Sequence, residues 1–405
     1  MGDGILNSTD RRSLKQAFHI AVKAAGGQTA CEPYTRVDQT TLSRAGNFAN
    51  PAHADAFPAA DTVVEVDLLA GTPVTLRAMA RLLGHALIPL PEVAATGPAA
   101  REAAAPALRR LAQAAGPQRP EIVLDTENFP TDRYVAEGIA AETGAELVWL
   151  EPDPAKGVTP DLLAPVLTDR TGVVLLSHVA YKSAWIADLP EITRLAHEAG
   201  ALVLWDLCHS VGVVASDLDA HGVDLAVGCT YKFLGGGPGA PAFGYVAARH
   251  QARLRQPIQG WMGHADPFVM GPGYEPGAGM RGFISGTPPV LGMVGIEDTV
   301  DLIESVGLNA VRDKAAGLGR FVIAAVDERL ARLGVRLVSP REDATRGGHV
   351  TITHEDFREV YRALWDEDVV PDFREPDGIR LGLSPLSTSF DEVAEALLRI
   401  EELLA

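Results

Sequence analysis

Two side chains in this sequence are spaced for a specific chemistry. Lys232 ends the apolar run Leu225-Ala226-Val227-Gly228-Cys229 and precedes Phe233-Leu234-Gly235-Gly236-Gly237-Pro238-Gly239. The run is too short for a helix and predicts a buried strand. The glycines let the backbone turn with positive φ and approach a bound group closely. A lysine in such a pocket sheds its charge readily and acts as an amine nucleophile. Upstream, Ala201-Leu202-Val203-Leu204-Trp205 predicts a second strand, closed by Asp206 and followed by Leu207-Cys208-His209-Ser210. A carboxylate that holds a pyridinium nitrogen and a lysine that holds an aldehyde are the two anchors of pyridoxal 5'-phosphate.

The elements around the pair predict how it is held. Glu121–Leu124, Glu146–Trp149, Gly172–Ser177 and Ala201–Trp205 are short apolar runs, separated by helical segments such as Asp132–Thr143 and Pro190–Glu198. This βαβ series predicts an α/β fold with a mostly parallel sheet and right-handed crossovers. Ligands of such sheets sit beyond the carboxyl ends of the strands. Asp132, Ser177, Asp206 and Lys232 all fall at or just past such ends. Beyond Pro289, helices over Val290–Ser305, Arg312–Leu330, Asp356–Glu367 and Phe390–Leu404, with strands over Val335–Val338, His349–Thr353 and Ile379–Leu383, predict a smaller α+β C-terminal domain.

An ordered set of motifs resembles the kynureninases, fold-type I pyridoxal phosphate enzymes that cleave kynurenine to anthranilate and alanine. The set runs through Asn128-Phe129-Pro130-Thr131-Asp132, Trp205-Asp206-Leu207-Cys208-His209-Ser210-Val211-Gly212, Tyr231-Lys232-Phe233-Leu234, Gly260-Trp261-Met262-Gly263-His264 and Phe283-Ile284-Ser285-Gly286-Thr287-Pro288-Pro289. It continues with Arg346-Gly347-Gly348-His349-Val350, Asp372-Phe373-Arg374 and Ile379-Arg380-Leu381-Gly382-Leu383, so it covers about residues 120–405. The resemblance implies that Phe129 stacks on the cofactor ring, that Asp132, Ser177, Asp206 and His209 surround it, and that Tyr231, Trp261 and Thr287 bind its phosphate, partly across a homodimer. Thr96 holds by position the place of a phosphate-binding threonine at a helix N-terminus. Arg380 is the implied bidentate clamp on the substrate carboxylate, with His264 as a second substrate contact and Arg346 as the next arginine in line. In the implied mechanism Lys232 removes the α-proton, water adds to the γ-carbonyl, the Cβ–Cγ bond breaks, and Tyr231 is the acid/base partner. The implied setting is tryptophan catabolism, the kynurenine pathway and NAD biosynthesis.

The first 92 residues differ from the rest. Leu14, Ala17, Phe18, Ala21 and Val22 have helical spacing over Ser13–Ala25, and Gly26-Gly27 ends the helix. With Gln39–Ala45 downstream, the segment resembles a phage-type helix-turn-helix. It carries eight Lys and Arg against nine Asp and Glu, so it lacks the basic excess of a nucleic-acid surface. Pro33 interrupts the pattern, and a small bundle that only packs or dimerises is the alternative. The Leu-Asp-Gly-Asn-Ser-Leu-Gly-like motif that the family places near its N-terminus is missing. Pro89, Pro91, Gly97 and Pro98 predict a linker, giving three domains: 1–92, 93–289 and 290–405.

Composition sets the outer bounds. The 405 residues are 47% hydrophobic with a net charge of −18, which fits a globular protein and opposes nonspecific binding to nucleic acid or acidic membrane. Cys31, Cys208 and Cys229 show neither metal-ligand nor disulfide spacing, so a reducing cytoplasm is expected and no metal. No apolar run is long enough to span a membrane, and no signal-peptide pattern opens the sequence. Two other readings compete with the hydrolase. One is an aminotransferase or desulfurase of the same fold, although a desulfurase needs a cysteine on a mobile loop. The other is a regulator that joins a DNA-binding domain to a cofactor-binding sensor.

Overall fold

The computed structural model describes residues 98–405 together with Phe18 and residues 21–23. The chain divides into two units, Met1–Ala95 and Thr96–Ala405. In the first unit the described positions are helical, with Phe18, Ala21 and Val22 buried and Lys23 exposed, as the helical spacing requires. The remainder of the expected helix-turn-helix lies outside the described residues, as do Cys31 and Thr96.

The second unit opens with helix α1 (Pro98–Ala115) and strand β1 (Glu121–Asp125), then α2 (Pro130–Thr143), β2 (Glu146–Leu150), β3 (Thr171–Ser177), α3 (Leu189–Glu198), β4 (Leu202–Asp206), β5 (Leu225–Cys229) and β6 (Ala242–Val246). The six strands lie in the order β2-β1-β3-β4-β5-β6, with β1 to β5 parallel and β6 antiparallel. Period-2 alternation divides their side chains between two cores. Val123, Val174, Leu176, Val203 and Trp205 face α3, which meets them with Leu189, Ile192 and Ala196. Ile122, Leu124, Val173, Leu175 and Leu204 face α1 and α2 through Leu108, Leu111, Ala136 and Ile139. Each fully buried Leu or Ile contributes about 1.5–3 kcal/mol, so the central strands are fixed from both sides. β3 and β4 finish in the polar residues Ser177 and Asp206, at the carboxyl end of the sheet.

Punctuation in the sequence sets the helix ends. Pro130 occupies the first turn of α2, where its missing N–H costs nothing, and Gly144 ends the helix at φ 76°. Asp188 caps α3 by accepting from the Glu191 amide at 3.0 Å.

Two long helices follow, α4 (Val290–Val306) and α5 (Leu308–Ala325). After them come β7 (Arg336–Leu337), β8 (His349–Thr353), α6 (Phe357–Asp366), β9 (Asp372–Arg374), β10 (Gly378–Gly382) and α7 (Phe390–Leu404). β7-β8-β10-β9 form an antiparallel sheet, packed through Val350, Ile352, Ile379 and Leu381 on α5, α6 and α7. A capping box of Ser389 and Glu392 starts α7. Helix α5 begins four residues earlier than expected and ends at Ala325, where a single π-helical stretch, Val326–Leu330, continues it. Strands β6 and β9 were not among the expected elements. β6 is a half-exposed edge strand containing Gly244, and β9 has three residues, so neither shows a clear apolar period. Among the described residues no helix is long and apolar enough to cross a membrane.

Candidate active site

β3 and β4 are in register with Ser177 opposite Asp206, so the first polar side chains past the two apolar strands emerge side by side. Asp206 is buried, and its Oδ1 accepts from the Cys208 amide at 2.7 Å. Ser177 donates its hydroxyl to Asn128 Oδ1 at 2.8 Å, and the same oxygen accepts the Phe129 amide at 2.8 Å. Asn128 is buried and thereby ties β3 to the turn that presents Phe129 and begins α2. From that turn Asp132 reaches inward and is also buried, with one carboxyl oxygen lacking any partner.

Asp132 and Asp206 face each other in this dry environment. Burial, and then the Asp206 charge beside it, push the Asp132 carboxyl well above the usual carboxylate range. Asp132 therefore holds its proton more readily than an exposed carboxyl does, with the Asp206 carboxyl beside it. A third buried carboxyl, Asp125 at the end of β1, is raised to about 7, chiefly by burial.

Lys232 follows β5 in a turn closed by the Gly235 amide on its carbonyl at 2.9 Å. Its Nζ lies 6.0 Å from the Phe129 ring centroid and 5.4 Å from that of Tyr231. Two glycines set how closely this turn packs. Gly212 has φ +83°, and a Cβ there would come within 3.0 Å of the Phe233 carbonyl; a Cβ on Gly348 would reach 2.6 Å from the Phe233 ring. The Tyr231 phenol is pushed up by burial first and then by the neighbouring Cys229, so it holds its proton and is an acid at neutral pH.

His209 and Arg380 complete the opposite side. Arg380 Nη1 donates to the Tyr181 carbonyl at 2.8 Å and to His209 Nε2 at 3.1 Å. Burial, Lys232 and Arg380 all lower the His209 pKa, so the imidazole is neutral. Arginine only donates, so Nε2 is the acceptor and the proton of His209 sits on Nδ1. Arg380 Nη2 pairs with Asp372 Oδ2, the oxygen that also takes Arg374 Nη2. A free carboxylate is therefore not needed to offset the buried guanidinium, because Asp372 already does so. Beside His209 lies a second buried imidazole, His349, at 5.5 Å between centroids and neutral for the same reasons. A cavity of about 630 Å³ opens next to the site, with Phe129, Tyr134, Tyr181 and Phe373 among its walls.

The structure thus gathers Phe129, Asp132, Ser177, Asp206, His209, Tyr231, Lys232 and Arg380. Trp261, His264 and Thr287 make their contacts elsewhere or are exposed. Trp261 stacks edge-on with Phe268 at 6.0 Å, His264 meets Tyr274 at 5.7 Å, and Thr287 faces solvent. Arg346 is fully buried and directs its donors to Pro340, Arg341 and Asp343 of its own loop, so it is not a second clamp. Cys208 and Cys229 are buried core residues, with Cys229 Sγ 3.6 Å from the Cys208 carbonyl, and neither sits on an exposed loop. Asn128, Tyr181, His349 and Asp372 were not among the expected site residues. Asn128, His349 and Asp372 did lie inside quoted motifs, but each acts through a neighbour, which spacing alone does not reveal.

The donors present fit pyridoxal phosphate. Asp206 is a buried carboxyl that makes no salt bridge among the described residues, Lys232 is an amine just past the adjacent strand, and Phe129 offers an aromatic ring 6.0 Å from its Nζ. The comparisons with known proteins agree. A family model for the kynureninase C-terminal domain matches residues 311–400, and one for the DegT/DnrJ/EryC1/StrS aminotransferase family matches residues 103–228. A kynureninase of Burkholderia mallei (strain SAVP1) is 40% identical over 289 residues, 71% of this chain and 68% of the relative. One of Pseudomonas fluorescens is 39% identical over 297 residues, 73% and 70% of the two chains. Among solved structures, a cysteine desulfurase of Thermococcus onnurineus NA1 superposes with TM-score 0.64 at 19% identity, covering 76% of this chain and 78% of the other. A C-DES variant with glycine covalently linked to its PLP cofactor gives 0.65 at 18%, covering 75% and 79%. At such identities these likenesses speak for the fold, which is that of the fold-type I pyridoxal phosphate enzymes.

Proposed function

The chain belongs to the kynureninase family, and from that premise we propose that it hydrolyses L-kynurenine or 3-hydroxykynurenine to L-alanine and anthranilate or 3-hydroxyanthranilate. The observation that carries the reading is the placement of the buried Asp206 at the end of β4 and Lys232 just past the neighbouring β5, with Arg380 bonded to His209 across from them.

The cofactor, when bound, supplies an electron sink for the carbanion left by loss of the α-proton. The chain's own residues do the rest. Asp206 would hold the ring nitrogen in its protonated form, with the raised Asp132 carboxyl beside it. Phe129 packs on the ring face, and Ser177, fixed by Asn128, stands at its edge. His209 presents its Nδ1 proton. Lys232 would hold the cofactor's aldehyde carbon and, once its amine is free, would take the α-proton. Arg380 holds the α-carboxylate. Water adds to the γ-carbonyl, so the aryl fragment leaves as its carboxylic acid when the Cβ–Cγ bond breaks, the electron pair stays with Cβ, and Tyr231, which keeps its proton, would supply the one that Cβ takes.

The outer parts of the site call for a second copy. No residue of α4 is buried, although the helix is strongly apolar, and Leu291 is 84% exposed. Phe268 and Met270 are 76% and 71% exposed on the loop that carries Trp261 and His264. A patch of this kind marks an interface, and a homodimer would cover it while bringing Trp261 and Thr287 to a phosphate. Residues 1–92 form a separate domain in this reading, which limited proteolysis near Pro89–Pro98 would release intact. The deciding experiment is fluorescence-detected release of anthranilate from L-kynurenine by the purified protein. Release establishes the activity. A protein that holds the cofactor yet releases no product from either substrate overturns the proposal.

A further inference from the structure

The antiparallel pairing of β9 and β10 sets Arg380 directly opposite Asp372. Asp372 and Arg374, two residues apart on one strand, project from the same face. Phe373 projects from the other and packs on the C-terminal core. The result is two guanidiniums that share a single carboxylate oxygen, Asp372 Oδ2.

A guanidinium has five N–H groups. In Arg380 both on Nη1 are engaged, by the Tyr181 carbonyl and His209 Nε2, and one on Nη2 is engaged by Asp372. One N–H on Nη2 and the one on Nε are left, and among the described residues nothing accepts from Nε. Nε and Nη2 form one edge of the planar fork, the kind of edge that meets a carboxylate with two parallel hydrogen bonds. The backbone carbonyl and the imidazole set the plane of the fork, and Asp372 sets its rotation within the site. Side-chain exposure is 13% for Arg380 and 39% for Asp372. Asp372 thus stands at the rim, where it holds the outer nitrogen of an otherwise enclosed arginine.

We propose that Asp372 is a positioning residue that fixes which edge of Arg380 faces the substrate, and so sets the enzyme's preference for an α-amino acid over the matching amide. The proposal rests on the reading of Arg380 as the carboxylate clamp. Arg374 has a supporting part. By sharing Oδ2 it keeps Asp372 from turning fully onto Arg380 and closing the remaining edge. Asp372 makes no contact with the reacting atoms in this scheme, so kcat is nearly independent of it and the effect falls on binding.

The test uses calorimetric titration of the holoenzyme with L-alanine, the amino-acid product, and with its carboxamide. The wild type binds the acid more tightly than the amide. D372N keeps the size of the side chain and loses its charge. It should weaken L-alanine on the order of tenfold, the scale of one misaligned charged hydrogen bond, and leave the carboxamide nearly unchanged. D372E, which keeps the carboxylate, should retain the preference for the acid. In turnover, D372N should raise KM with little change in kcat. Equal weakening of acid and amide would mean that Asp372 only supports the fold, and would overturn the proposal. So would tighter binding of L-alanine by D372N, which would make Asp372 a competitor for Arg380. Binding of L-alanine is read without turnover. A wild type that binds it but releases no anthranilate therefore refutes the hydrolase activity and leaves Asp372 to be judged on the ratio of the two affinities.

Discussion

Two charge clusters flank Lys232, and they are built in opposite ways. On the side of β4, two buried carboxyls stand together, and burial and the Asp206 charge push the Asp132 carboxyl well above the usual range. On the side of β10, two guanidiniums share one carboxylate, Asp372. The first cluster has an excess of carboxyls, and the second an excess of guanidiniums. In the function proposed above, the first would seat a protonated ring nitrogen and the second a carboxylate. Neither cluster is a structural ion pair left over from folding, because a pair whose only role is structural closes on itself. Arg346 shows that alternative, with its donors spent on the loop that carries it.

The largest effect should come from emptying the first seat. Asp206→Ala removes the carboxyl that would meet the ring nitrogen and leaves Asp132 alone in the buried pair. Cofactor affinity should fall by about 3–5 kcal/mol, the cost of breaking a buried charged pair, as read by titrating the apoenzyme with pyridoxal phosphate. An unchanged dissociation constant would remove Asp206 from the site. The second seat should come next. Arg380→Ala should raise KM for kynurenine by the equivalent of roughly 2–4 kcal/mol with the cofactor spectrum unchanged. Arg380→Lys should recover little, because an ammonium keeps the charge but not the fork. Wild-type KM in either variant would show that the carboxylate binds elsewhere.

How much of this could be read from the sequence differs between the clusters. Asp206 and Lys232 end apolar strands, so periodicity alone placed them at the edge where ligands of parallel sheets bind. The core of β1, β3, β4 and β5 was legible for the same reason, since strands buried on both faces read as unbroken apolar runs. The β10 cluster was legible only at Arg380. Asp372 lies in a three-residue strand with no periodicity, and its partner is eight positions away across a sheet pairing. His349 and Asn128 have the ordinary residue types of strands and turns. Their roles come from what they touch, which is tertiary information. The edge strand β6 was missed because one of its faces is open and a glycine interrupts it.

A smaller effect should separate Asp125 from the pair it adjoins. Its carboxyl is raised to about 7, with burial as the main cause. A raised carboxyl pKa means that the folded state holds the proton more tightly than the unfolded chain. The stability it contributes is complete below about pH 4 and is lost as pH rises towards 7. Asp125→Asn should abolish that decline and leave the variant more stable than wild type at pH 8. The gain should be on the order of 2 kcal/mol, because relaxation and water penetration absorb part of the burial cost. Chemical denaturation at pH 5 and pH 8 measures it. Parallel pH dependence in the two proteins would show that Asp125 titrates normally.

The smallest effect should come from Asp132→Asn, and it bears most directly on the contrast between the clusters. If Asp132 serves by donating a proton to Asp206, an amide can replace it, because the Asn NH2 donates to the same oxygen without needing a proton of its own. Cofactor affinity at neutral pH should then change by less than about 1 kcal/mol, within the net worth of one hydrogen bond. Asp132→Ala, which donates nothing, should cost more. The pH profile separates this account from simple packing. In the wild type, raising pH through the elevated Asp132 pKa creates a second carboxylate beside Asp206, and the repulsion raises the charge that must be neutralised in the seat. Asp132 is thus a group whose contribution is present at low pH and lost on the alkaline side. Asn has no such titration, so the alkaline change in cofactor affinity should be absent from Asp132→Asn and present in wild type. An Asn variant that keeps the wild-type alkaline limb would mean that the proton is not on Asp132, and the two clusters would no longer be opposites.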